Sequence, residues 1–270
     1  MLVWGEGGCA KNGLTFPEYL SEIASYGFVV VADGPPVQRA GGPGPGAGGP
    51  GGPGAPGAGA PGAGAPRAGG PGGAPGAGGA RAGGGGPPGG GAMGDGGIAL
   101  LQAINWLEKE SKDSRSRFYN KVAMKKVAAM GMSCGGIMSY GAAGDPHVTS
   151  VGIWNSGLFN EEDRKKNFDT MHGSAIIITG GESDIAYANG KADFENMPAR
   201  IPLFYGVYPS VGHGGTYTQD NGGPFGKVAV AWLKWQLTGD KSAAAKGYFV
   251  GKDCTLCKDS TWQVQSRGLK

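Results

Sequence analysis

The stretch Met124–Gly144, MKKVAAMGMSCGGIMSYGAAG, decides the fold. At its centre stands Gly131-Met132-Ser133-Cys134-Gly135, a G-x-S-x-G pattern. Ahead of it, Val127–Met130 is a short apolar run, suited to a strand buried on both faces of a parallel sheet. Behind it, Ile137–Ala143 can form a helix. In such a strand–turn–helix setting a serine is lifted clear of the carboxyl edge of a sheet, with the positive end of the next helix behind it. The backbone of that turn is strained, and Gly131 and Gly135 leave room where strand and helix nearly touch. A chain with 58 glycines produces this pattern easily. Its weight therefore comes from the strand before it and from partners elsewhere in the chain.

Downstream, Val148–Ile153 reads as the next strand and ends at Trp154-Asn155-Ser156. Ala175–Thr179 is another, followed by Gly180-Gly181-Glu182-Ser183-Asp184. Ile201–Val207 is the last clear strand and leads to Val211-Gly212-His213-Gly214-Gly215, and Lys227–Leu237 is a closing helix. Upstream, Ile98, Leu101, Ile104 and Leu107 give helical spacing through Glu110. Phe28–Ala32 is an apolar strand closed by Asp33-Gly34-Pro35-Pro36. Phe16–Ser25 is expected as a helix capped by Thr15, with Glu18 at the capping-box spacing. Met1–Trp4 reads as a strand that begins at once, as though earlier strands and an export signal preceded it. Strands alternating with helices imply an α/β class with a mostly parallel sheet of about six strands.

Between these elements, residues 39–97 are almost wholly Gly, Pro and Ala. Their glycines lack the strict three-residue period of collagen, and there is almost nothing to bury. This segment is expected to be a disordered, partly polyproline-like insert. Residues 1–38 and 98–270 then form a single domain, and about 210 residues suit one α/β unit. A net charge of +3 in 270 residues makes no case for nucleic acid. No apolar run is long enough to span a bilayer.

A serine nucleophile needs a base, and the base needs an orienting acid. The chain has three histidines. His147 and His172 precede strands, at the amino end of the sheet. His213 follows a strand, at the carboxyl end where open α/β sheets bind ligands. Asp184 follows a strand on the same edge and is the expected acid, with Glu182 and Asp193 in reserve. The order Ser133, Asp184, His213 is that of a nucleophile–acid–base triad on such a sheet. The Gly-rich turn Gly5-Glu6-Gly7-Gly8-Cys9 follows the first strand. Backbone N–H groups of Gly7, Gly8 or Cys9 can there face the N–H of Cys134 to make an oxyanion hole. Cys134 itself is set aside as nucleophile, because Met132 would then stand where the turn needs glycine. Ser139 lies too far into the helix. No metal or cofactor is implied.

The chain resembles the α/β-hydrolase superfamily, in its dienelactone-hydrolase and cutinase-like polyester-hydrolase branch. The resemblance rests on Gly131-Met132-Ser133-Cys134-Gly135-Gly136, Trp154-Asn155-Ser156, Ser183-Asp184-Ile185-Ala186, Gly212-His213 and Val228–Lys234. It covers about Leu2 to Leu237 without the insert, which has no counterpart in the family. It implies an α/β-hydrolase fold and a serine esterase acting on small-molecule or polymeric esters, polyesters and aromatic-acid esters among them. It also implies that Trp154 lines the substrate cleft. An aromatic at the carboxyl edge would offer a flat apolar wall there, while the same residue can equally cap the strand as core. A thioesterase or acyltransferase using the same three residues, and an inactive truncated hydrolase serving as a scaffold, are the other readings.

The chain has four cysteines. Cys9 and Cys134 flank the expected oxyanion hole and should pack together or be bridged. Cys254-x-x-Cys257 has no second half for a zinc site and reads as a local disulfide or a brace of the tail. Such pairs would fit a secreted or periplasmic protein.

Overall fold

The computed structural model describes residues 1–37 and 95–270. The expected insert, 39–97, lies outside the described residues except for its last three. Those three lead into the next helix. Asp95 Oδ1 accepts the Gly97 N–H at 3.0 Å and Oδ2 accepts the Ala99 N–H at 2.9 Å. Asp95 thus satisfies free donors at the start of the helix that begins at Ile98.

Strand β1 (Leu2–Gly5) is followed by helix α1 (Pro17–Ser25), β2 (Val30–Ala32), α2 (Ile98–Lys112), β3 (Val127–Met132) and α3 (Cys134–Ala142). Then come β4 (Val148–Trp154), α4 (Glu161–Thr170), β5 (Ser174–Gly180), α5 (Tyr187–Asn196), β6 (Leu203–Tyr208), α6 (Gly223–Leu233), α7 (Thr255–Lys258) and β7 (Gln263–Arg267). A wide π-helical turn, Lys234–Thr238, extends α6 to the expected helix end. The strands form one seven-stranded sheet in the order β2-β1-β3-β4-β5-β6-β7. Every neighbouring pair is parallel except β6 and β7. The expectation of about six strands missed β7, which is polar and exposed along most of its length and closes the edge of β6. The cap expected of Thr15 is absent too. Its hydroxyl donates to the Asn12 carbonyl at 2.8 Å, and α1 begins two residues later at Pro17.

Period-two alternation sorts the strand residues onto two faces. Leu2, Trp4, Met130, Ile176 and Ile178 pack with Tyr19, Ile23, Val228 and Trp232 from α1 and α6. Val3, Ala129, Ile153 and Ile177 pack with Leu100, Ile104, Met138 and Phe168 from α2, α3 and α4. The sheet is thus covered on both sides, as parallel sheets require.

Strand order also fixes where a ligand can sit. The chain moves outward from β1 to β2, then returns across β1 to start β3. The loops after β1 and β3 therefore leave in opposite directions and open a crevice at the carboxyl edge between them. The first loop carries Gly7–Cys9 and the second carries Ser133.

Candidate active site

Ser133 adopts φ 54°, ψ −116°, a conformation an L-residue rarely holds, between the end of β3 and the first residue of α3. Surrounding structure must enforce it, at a cost of order 1–3 kcal/mol. The enforcement is visible. A Cβ on Gly135 would strike the carbonyl of Gly5, and one on Gly131 would strike Gly135. Helix α3 therefore crosses the ends of β1 and β3 backbone against backbone, which only glycine permits. On the far side, Ser133 N–H donates to the Trp154 carbonyl at 2.9 Å, and Ser156 Oγ donates to the Ser133 carbonyl at 2.6 Å.

The structure brings the three expected side chains together from three loops on one sheet edge. Ser133 Oγ lies 3.0 Å from His213 Nε2, and His213 Nδ1 lies 2.7 Å from Asp184 Oδ1. Asp184 is 2 % exposed, whereas His213 and Ser133 are half-buried. Burial alone would push the Asp184 carboxyl up. The hydrogen bonds from His213, the Ala186 N–H, Asn155 and the Gly180 N–H outweigh it and hold the group below the usual carboxylate range. An ionised acid, an imidazole and a hydroxyl in series form a general-base relay: the imidazole can take the serine proton, and the carboxylate can stabilise the resulting imidazolium.

Beside Ser133, Cys134 is the first residue of α3, and among the described residues its N–H has no acceptor. Gly7–Cys9 forms a 3₁₀ turn in which Gly8 and Cys9 have φ 64° and 51°. Cys9 and Cys134 are joined by a disulfide, their Cα atoms 5.4 Å apart. It ties the turn after β1 to the N-terminus of α3, so the loops that carry the candidate oxyanion donors are covalently linked. Cys254 and Cys257 are also bridged, across the start of α7.

The remaining expectations divide. Trp154 does not line a cleft. It is fully buried and packs against Tyr19 and Phe225, with ring centroids 5.7 Å away in each case. As the last residue of β4 it shares the face of Ser150 and Gly152 and points into the α1–α6 layer. Glu182 is exposed, and Asp193 is committed elsewhere. It accepts from Tyr140, the Leu158 N–H and Arg164 at 2.8–2.9 Å, bracing the loop after β4. His147 pairs with Asp145 at 2.8 Å at the start of β4, and His172 is exposed before β5, both on the opposite edge. Ser139 is buried and donates to the Gly135 carbonyl.

Two further polar residues, not among the site residues expected from the sequence, support the acid. Asn155 and Tyr217 lie behind Asp184, fully buried. A polar Asn straight after a buried strand end was a usable signal for the first; nothing marked the second. Glu6 is also fully buried, directly before the Gly7–Cys9 turn, with both carboxyl oxygens unpartnered. Burial, the dominant cause, and the nearby charge of Asp33 push its pKa up to about 7. Trp4 and Thr15 oppose this only in part.

No protein-family model matches the chain, and no curated protein matches it. What is established is an α/β protein with a mostly parallel seven-stranded sheet, carrying a Ser–His–Asp constellation at its topological switch point. Among the described residues no helix is long and apolar enough to cross a membrane, and no cluster of three or more His, Cys, Asp or Glu is placed to hold a metal ion.

Proposed function

We propose that this protein is a serine carboxylic-ester hydrolase of the α/β-hydrolase type. The observation that carries the reading is the unbroken chain from Ser133 Oγ through His213 to Asp184, at 3.0 and 2.7 Å, on a serine held at φ 54°. A strained serine in a tight turn, bonded to an imidazole whose other nitrogen meets a buried carboxylate, has little use in packing alone.

In this reading His213 removes the Ser133 proton as Oγ attacks the ester carbonyl. Asp184 holds the imidazolium. The N–H of Cys134, with one from the Gly7–Cys9 turn, receives the negative charge that develops on the carbonyl oxygen. His213 then passes its proton to the leaving alcohol. Water, deprotonated by the same imidazole, hydrolyses the acyl-enzyme. With Trp154 in the core, the case for aromatic or polymeric esters rests on the sequence resemblance alone. Two disulfides suit an oxidising compartment, which agrees with export.

The test is hydrolysis of short- and medium-chain p-nitrophenyl esters by wild type and Ser133→Ala. Loss of the nucleophile should cut kcat by about 10⁴-fold or more with the fold intact. Equal rates in the two proteins would end this reading.

A further inference from the structure

The Asp184 carboxylate has two oxygens, and His213 uses one. Oδ1 meets His213 Nδ1 and accepts the Ala186 N–H at 2.9 Å. Oδ2 accepts the Gly180 N–H at 2.9 Å and Asn155 Nδ2 at 2.8 Å. Among the described residues, Asn155 is the one side chain besides His213 that bonds this carboxylate. The direction of its amide is fixed by chemistry. A carboxylate only accepts, so Nδ2 must face Asp184, and Oδ1 is left facing the Tyr217 hydroxyl, which donates to it. The Tyr217 ring is itself immobilised, with centroids of Phe16, Tyr19, Phe225 and Trp4 at 4.6, 5.2, 5.5 and 6.2 Å.

Asn155 also spans the loops that bear the acid and the base. Its backbone, at φ 42°, donates to the Ile178 carbonyl on β5 at 2.7 Å, and β5 leads directly to Asp184. Its Nδ2 reaches the Gly212 carbonyl, adjacent to His213, at 3.4 Å. A buried amide in a left-handed conformation costs backbone energy that an apolar residue in relaxed geometry would not. What the arrangement gives in return is a network in which every side-chain atom has a partner, Tyr217 to Asn155 to Asp184 to His213.

We propose that Asn155, locked by Tyr217, is a positioning residue for the triad: it anchors the second oxygen of Asp184 so that the first stays aligned on His213. The kinetic side of this inference rests on the serine-hydrolase reading; the electrostatic side does not. Asn155→Leu removes donor and acceptor at similar volume. Asp184 then loses one of the bonds that disperse its charge. It stays ionised, attracts the imidazolium more strongly, and is freer to turn. The His213 imidazole should hold its proton more tightly than in wild type. At the same time kcat should fall about tenfold to a hundredfold, with KM within about twofold. Tyr217→Phe should act in the same directions with about a threefold loss of kcat, because Asn155 keeps its donor and loses only its lock.

The titratable groups facing Asp184 are His213, Tyr217 and Tyr205, and Ser133 faces His213. Burial pushes both tyrosines up, Tyr205 to about 12 and Tyr217 well above the ordinary phenol value. Both tyrosines therefore stay protonated through the neutral range.

Two readouts decide the matter. The three imidazoles are titrated by proton–nitrogen NMR in wild type, Asn155→Leu and Tyr217→Phe, with His213→Ala for assignment. The pH profile of kcat/KM is then measured on p-nitrophenyl butyrate. A raised His213 pKa in folded Asn155→Leu, with His147 and His172 unmoved, supports positioning. An unmoved His213 overturns it. Should wild type hydrolyse nothing, the hydrolase reading fails while the NMR titration still decides this one. If Asn155→Leu does not fold, Tyr217→Phe decides: unchanged His213 titration there overturns the inference.

Discussion

Glu6 lets the structure be tested without any substrate. Its carboxyl is fully buried, has no hydrogen-bond partner, and is shifted from an ordinary 4.5 up to about 7. Below pH 4.5 the group is protonated in both folded and unfolded chains and makes no difference. Between 4.5 and 7 the unfolded chain releases the proton while the folded one keeps it, so stability falls as pH rises. Above 7 the full penalty applies. At 1.36 kcal/mol per pH unit, the span from 4.5 to about 7 sets a ceiling of about 3 kcal/mol. Relaxation around an ionised carboxylate lowers this, so about 1–3 kcal/mol is expected. Glu6→Gln keeps the shape and cannot ionise. Urea unfolding of both proteins from pH 4.5 to 8.5, with disulfides intact, should give coincident midpoints at the acid end. The Gln variant should become progressively more stable toward pH 8, at constant denaturant slope. Because the comparison is a difference, other titrating groups cancel. A stability difference that does not change with pH would show that Glu6 is solvated or paired, and the reasoning would fail.

Breaking the Cys9–Cys134 disulfide with Cys9→Ser/Cys134→Ser should cost about 2–4 kcal/mol of stability and, on the hydrolase reading, lower kcat about tenfold or more with KM little changed. A fully active double variant would show that the bridge does not hold the oxyanion donors. Trp154→Phe should lower stability by about 1–3 kcal/mol and leave KM for aryl and alkyl esters unchanged. A raised KM at unchanged stability would return this residue to the cleft.

The site was more legible than its support. Ser133, Asp184 and His213 each follow an apolar run of strand length, and strand ends in a parallel sheet share an edge, so chain order alone placed them together. Parity along β4 puts Trp154 in the core, where the resemblance had implied the cleft. Counting back by twos reaches Gly152 and Ser150, and Ser150 receives the Trp232 indole N–H at 2.8 Å in the core. Strand β7 carries Gln263, Gln265, Ser266 and Arg267, so no apolar alternation announces it; its pairing with β6 becomes visible only in three dimensions. Thr15 has the right spacing for a cap, but the loop from Asn12 claims its hydroxyl first. Glu6 and Tyr217 owe their character to neighbours far away in the chain, and periodicity carries no trace of that.

The bond between Cys9 and Cys134 has a consequence for how the chain can be divided. Its two ends are 125 residues apart in sequence, and every residue from Ala10 to Ser133 lies inside the ring it closes. A single protease cut anywhere in that interval cannot release a fragment. The two pieces, each contributing one wall of the crevice, would still migrate as one molecule on a non-reducing gel and would separate only when a thiol is added. Peptide continuity between α1 and α3 is thus dispensable for keeping Ser133 beside the turn that faces it.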